Sequence, residues 1–217
     1  DEGAGDLDAN TFHGRLERRA IQMSFGTARD YFRGSLRLLK EDRDEAFELL
    51  RLALNAPRFD SEAVERIRAQ VLSGLHREST TPNALASRAF FKLAYPDHPY
   101  GRPSGGTLDS VPTIQAADLH GYRRRTLGRD QLKIAVVGDI DGDTLGRLID
   151  GTFGALPAKA ELTPIAEVAP AAPPKRLNVA LDVPQTVVMF GAAALKRSDP
   201  DFMTAYVINH VHGGGGL

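Results

Sequence analysis

The chain has 217 residues, 42% of them hydrophobic and 25% charged, so it has the length and apolar content to bury a core of its own. Its 27 basic residues nearly balance 28 acidic ones for a net charge of −1, which gives no reason to invoke nucleic acid or an anionic membrane surface. Cysteine is absent, which excludes disulfides, thiolate nucleophiles and Cys-based zinc sites, and no run of about 18 apolar residues exists to cross a bilayer.

Lack of cysteine suits the cytosol and the bacterial periplasm equally, so the compartment stays open. The chain starts at Asp1 without a Met and stops at Leu217 directly after four glycines, and both ends read as cut.

In chain order, Leu7, Phe12, Leu16 and Ala20 have helical spacing over 7–20. Ile21, Met23 and Phe25 then alternate, and Tyr31 to Leu38 is a second extended run. The two predict an antiparallel strand pair turning near Gly26–Arg29. Asp42 with Glu45 resembles a capping box ahead of a helix to about Asn55 with Phe47, Leu50 and Leu54 on one face; Pro57 ends it. Asp60 is expected to cap a long helix to about Ser79 whose apolar stripe is Val64, Ile67, Val71 and Leu75.

A third helix is expected over 83–94, then a turn-rich loop, YPDHPYGRPSGG, and a further helix over 115–126. Residues 131–139 (QLKIAVVGD) read as a buried strand, with a helix from Asp141 to Phe153 after it. The Ala/Pro-rich text from Ala158 to Lys175 has the composition of a semi-rigid linker. Residues 176–195 read as extended. A helix over 199–212 is expected to open with Asp199 as N-cap and Pro200 at its first position.

Several stretches resemble the insulinase/pitrilysin/mitochondrial-processing-peptidase family of zinc metallopeptidases: PRFDSEAVERIRAQVLSGLHRE at 57–78, YPDHPYGRPSGG at 95–106, VPTIQAADL at 111–119, LKIAVVGDIDGDTLGRLIDGTFGALP at 132–157 and DPDFMTAYVINHVHGGGGL at 199–217. The resemblance runs from end to end in consistent order. It implies an α+β fold: residues 1–157 as most of a first insulinase-type domain with an antiparallel or mixed sheet covered by helices, 158–175 as the linker, and 176–217 as the truncated beginning of a second, similar domain. In such proteins two halves close around a chamber in which peptides are cut.

Catalysis in the family is similar to that of other zinc hydrolases, with two His and a Glu on the metal and a further Glu as general base. The two His and the base lie in H-x-x-E-H, a spacing that puts both His on one helix face. That motif is absent from this sequence; in family order it falls before Asp1. The third ligand is a Glu on the long helix, in a segment resembling VILEEIR. Aligned through Val71–Leu72 and out to Pro82, Ser73 and Gly74 stand where the two glutamates would be, and Gly74 holds the ligand position. Glycine cannot bind a metal through a side chain. Glu78 lies one turn on, about 6 Å along the axis, and using it would break the match at Pro82.

Other candidates have ordinary readings. His210 and His212 would lie roughly 200° apart on a helix and cannot face one ion. His76 and Glu78 form H-x-E but lack the PCxxC half of a deaminase signature. His98 reads as a residue that structures the HPYG loop. Gly138–Gly142 lacks G-x-G-x-x-G spacing and reads as a tight turn with Asp141 or Asp143 as cap. Arg123–Arg125, with Arg129 nearby, reads as a solvated helix end that complements the dipole. Gly213–Gly216 lacks the Lys-Ser/Thr of a phosphate loop. By the resemblance, Gly213, Gly214, Gly215 and Gly216 are a mobile loop that touches substrate.

Some bacterial members work as heterodimers in which one subunit carries the zinc motif and the other does not. The resemblance implies that this chain is the second kind: no catalytic residue, no metal of its own, zinc in a motif-bearing catalytic partner, and peptide substrates held in a shared chamber. Self-association is the alternative to that heterodimer; no nucleic acid and no membrane span complete the expectation, with a bacterial periplasm favoured over the cytoplasm by family habit. Two alternatives stand: a fragment of an active zinc endopeptidase whose H-x-x-E-H lies upstream, and a structural core-subunit homologue without a peptidase role.

Overall fold

The structure, a computed structural model, describes residues 2–171 and 176–214. The chain divides into two compact units, one formed by Asp1–Ser79 with Pro103–Ile165 and the other by Thr80–Arg102 with Ala166–Leu217.

In the first unit, a short antiparallel pair, β1 (Gly3–Ala4) and β2 (Leu7–Asp8), leads into α1 (Ala9–Arg18). Asp8 caps this helix by accepting from the Thr11 amide at 2.8 Å, so the helix starts two residues later than its apolar spacing predicts. β3 (Gln22–Thr27) and β4 (Phe32–Arg37) form the expected antiparallel hairpin, with Ser24 opposite Ser35. Phe12, Leu16, Ile21, Ala46 and Leu49 are buried against each other, with Met23, Leu36 and Leu52 packed on them. Phe12 and Leu49 are fully buried, and burying side chains of this size contributes about 1.5–3 kcal/mol each.

α2 (Arg43–Asn55) supplies Ala46 and Leu49 to that core. The predicted Phe47–Leu50–Leu54 face differs: Leu54 is buried, whereas Phe47 and Leu50 are half-buried and line a cavity. Asp42 sits at the N-cap position without making a capping bond. Its carboxylate takes an ion pair from Arg19 instead, a stronger partner than a backbone amide. Asp60 likewise precedes α3 (Ser61–Glu78) without a capping bond and accepts from Arg58 Nε at 2.7 Å. The α3 stripe is only partly covered. Leu75 and Ala63 are buried, while Ile67 and Val71 are each 37% exposed.

Arg68 fixes α3 against the following loop by donating to the carbonyls of Val111 (2.6 Å) and Ile114 (2.7 Å). α5 (Ala116–Thr126) begins with a reciprocal capping box between Gln115 and Asp118. Arg123 departs from the solvated-end reading, since its Nε donates to the Leu54 carbonyl at 2.6 Å and satisfies a carbonyl at the C-terminal end of α2. Burial holds its guanidinium below the usual arginine range. α6 (Gly142–Phe153) starts where Asp141 accepts from the Thr144 amide at 2.8 Å, and it packs on α2.

The stretch 131–139 is not a strand of either sheet. Both described sheets are two-stranded, and an isolated extended segment has no ladder partner to hold it. Residues 176–195 show no strand for the same reason. The chain is α+β, as expected, but helix outweighs sheet.

In the second unit, α4 (Pro82–Ala94) carries Phe90 and Phe91 edge to face at 5.5 Å. The aromatic contacts continue through Tyr95 to Tyr100, at 5.7 Å and 88°. The Pro99–Gly101 turn closes tightly on the helix end. A Cβ on Gly101 would lie 2.0 Å from the Tyr95 carbonyl oxygen, so only glycine fits there. α7 (Phe202–Asn209) is shorter than predicted. Asp201 holds the N-cap position, and Asp199 accepts from the Asp201 amide at 2.9 Å in a turn before the helix.

Candidate functional site

Gly74 lies in the C-terminal third of α3, on the turn before the helix ends at Glu78. A methyl group placed on its Cα would meet nothing within 4 Å. Packing therefore does not explain a glycine there, although it weakens the helix by about 0.8–1.0 kcal/mol against Ala. Ser73, beside it, accepts from Arg77 Nη1 at 3.4 Å.

A zinc ion needs three or four His, Cys, Asp or Glu donors converging on one point. Ser73 and Gly74 contribute none. Among the described residues no three such side chains are placed to hold a metal. His76 and Glu78 are two residues apart on α3, so their side chains diverge by roughly 200°. The described residues do not fit the family's zinc.

The glycine segment lies at the end of α7. There the helix widens into a final turn over His210–Gly214. Gly213 has φ 100° and ψ 11°, a conformation that residues with a Cβ avoid. A Cβ on Gly214 would stand 2.2 Å from Asn209 Nδ2 and 2.8 Å from the Asn209 carbonyl oxygen. These two glycines form a close helix-terminating turn. Gly215 and Gly216 lie outside the described residues. His210 and His212 are both exposed in this turn.

His98 has a larger role than structuring its own loop. Its Nδ1 accepts the Tyr100 amide at 3.2 Å, which leaves the proton on Nε2, and Nε2 donates to the Ala166 carbonyl at 3.0 Å. The Ala171 amide donates to the Ala94 carbonyl at 2.8 Å. The Ala/Pro-rich stretch is thus held at two points, once by the HPYG loop and once by the end of α4. Neither contact has a sequence signal, because a lone His in a turn-rich loop points to no particular partner.

The sequence and the fold can be placed among known proteins. Residues 113–216 match the family model described as "Peptidase M16 inactive domain". A crystal structure described as the peptidase M16 inactive domain from Pseudomonas fluorescens superposes with a TM-score of 0.73 at 28% identity, over 78% of this chain and 41% of that one. Over residues 113–216 the chain is similar to the M16 peptidase family. Among curated relatives, the chain is 28% identical over 216 residues to the non-peptidase homolog YmxG of Helicobacter pylori, covering 99% of this chain and 50% of that protein. It is 26% identical over 200 residues to the uncharacterized zinc protease SCO5738 of Streptomyces coelicolor, covering 89% and 44%. The chain therefore spans about half the length of the curated relatives it matches.

Proposed function

We propose that this chain is part of the zinc-less subunit of a two-subunit M16 peptidase. It builds part of the wall of the peptide chamber, while a motif-bearing catalytic subunit supplies the zinc. The observation that carries this reading is Gly74. The position that must present a carboxylate in a catalytic member has no side chain, and nothing packs into the space that one would occupy. Likeness to a relative described as a non-peptidase homolog supports the same reading. The glycine run Gly213, Gly214, Gly215 and Gly216 is the proposed substrate-contacting element. A backbone without side chains lets a peptide approach closely.

The relatives described as zinc proteases favour a second reading, a fragment of an active enzyme with H-x-x-E-H elsewhere in the polypeptide. Zinc content of the full-length natural polypeptide, purified alone, separates the two. The proposal expects no tightly bound zinc, and peptide cleavage only after a motif-bearing subunit is added. About one zinc per chain, with cleavage by the chain alone, establishes the second reading. No cleavage with the partner present leaves a structural homologue.

A further inference from the structure

His98 caps the Pro99–Gly101 turn, and both of its ring nitrogens are committed. Nδ1 accepts from the Tyr100 amide at 3.2 Å, and a backbone amide can only donate. Nε2 lies 3.0 Å from the Ala166 carbonyl oxygen, which can only accept. One protonation state satisfies both contacts, the neutral ring with its proton on Nε2. A second proton, at Nδ1, acts on the two contacts differently. The imidazolium has no lone pair to offer the Tyr100 amide and sets one N–H against another. Its Nε2–H still reaches Ala166, and the charge strengthens that bond.

The ring meets Tyr100 with centroids 4.6 Å apart and Tyr95 at 6.2 Å. It shares a cavity of about 370 Å³ with Asp97 from its own loop and Glu167 from the Ala/Pro-rich stretch. Lys92 of α4 donates to the Pro96 carbonyl at 2.7 Å, and Glu167 pairs with Lys196. The hydrogen bond from Lys196 holds the Glu167 carboxyl below its ordinary value. Of these residue types only imidazole ordinarily changes charge between about pH 5 and 8. The remaining bonds of the region bypass the ring. The Gly101 amide donates to the His98 carbonyl at 2.9 Å, the Arg102 amide to the Pro99 carbonyl at 3.0 Å, and the Ala171 amide to the Ala94 carbonyl at 2.8 Å.

We propose that His98 is a proton-sensitive latch on the Pro99–Gly101 turn: the neutral ring holds the Tyr100 amide, and the protonated ring frees that amide while keeping its bond to Ala166. The Tyr100 contact is made by the neutral form, so it is present above the imidazole range and lost as pH falls through it. The side that loosens is the turn carrying Tyr100, whose ring packs edge to face on Tyr95 at 5.7 Å. The Ala/Pro-rich stretch stays docked, because its second anchor, Ala171 to Ala94, is a bond between backbone groups that do not titrate. Mild acid thus opens one wall of the cavity and leaves the other in place.

Zinc content has no bearing on this latch. In the full-length natural polypeptide, exchange of the Tyr100 and Ala171 amides is followed by NMR at about pH 7.5 and about pH 5, each rate divided by the intrinsic rate at that pH. Protection at Tyr100 is expected to fall about three- to tenfold at the lower pH, the effect of losing one hydrogen bond, while protection at Ala171 stays the same. His98→Asn offers a side-chain oxygen to the amide two residues on, as in an Asx turn, and does not titrate. In that variant Tyr100 should be equally protected at both pH values. Tyr100 protection that is insensitive to pH in the natural polypeptide, or that falls as far in the Asn variant, overturns the proposal. A parallel fall at Ala171 overturns it equally, since the release would then not be confined to the turn.

Discussion

The imidazole of His98 spans two segments, its Nε2 donating to the carbonyl oxygen of Ala166 at 3.0 Å while its Nδ1 receives the Tyr100 amide. Replacement by Phe keeps a ring against Tyr100, whose centroid lies 4.6 Å away, and removes both hydrogen bonds. A net loss of about 1–2 kcal/mol in local stability is expected from two such bonds. Amide exchange should quicken at Tyr100, which loses its acceptor, while α4 amides earlier in the helix keep their rates. Unchanged exchange at Tyr100 would show that the clasp contributes nothing.

Gly74→Ala is expected to stabilise the chain by about 1 kcal/mol, because α3 gains helix propensity and the new methyl group meets no neighbour. The denaturant midpoint reads this directly. A destabilised variant would mean that the position is covered in solution and that its glycine is kept by packing.

Gly214→Ala carries the opposite expectation. The new Cβ would overlap Asn209, so the last turn of α7 must open or shift, at a cost of about 1–3 kcal/mol. Loss of helical chemical shifts over Tyr206–Asn209 is the signature. If the shifts stay in place, the turn is more adaptable than its geometry implies.

Asp141 supplies a pH prediction. The Thr144 amide, first, and the Thr144 side chain hold its carboxyl below the ordinary value of 3.8. A carboxyl depressed in the folded state contributes stability above the unfolded value, and that contribution is lost as pH falls through the folded value. The start of α6 should therefore loosen only below about pH 4. In an NMR titration the Asp141 carboxyl should have its midpoint below 3.8. Asn at this position, which caps without titrating, should leave the start of α6 insensitive to acid. A midpoint at or above 3.8 would mean that the cap is not formed in solution.

Most helices of this chain were legible in its sequence because their signals are local. Asp141 stands three residues before the amide it caps, and the apolar spacing of Phe12 and Leu16 needs nothing beyond its own helix. The β3–β4 hairpin was legible for the same reason, since its partners are adjacent in the chain. Gly74 could be placed against a family pattern from sequence alone. What the space beside it holds could not.

Tertiary structure decided the matters that depend on a distant partner. Asp42 has the sequence position of a cap, and Arg19, 23 residues earlier, takes its carboxylate instead. Arg123 sits in a basic run that looks solvated, and the Leu54 carbonyl, 69 residues earlier, draws it inward. Residues 132–137 have the composition of a strand, but a strand exists only when another lies beside it, and composition cannot say where that neighbour comes from. Local free energies were thus written in the sequence, while the side chains and edges that must be satisfied across long loops were assigned only by the fold.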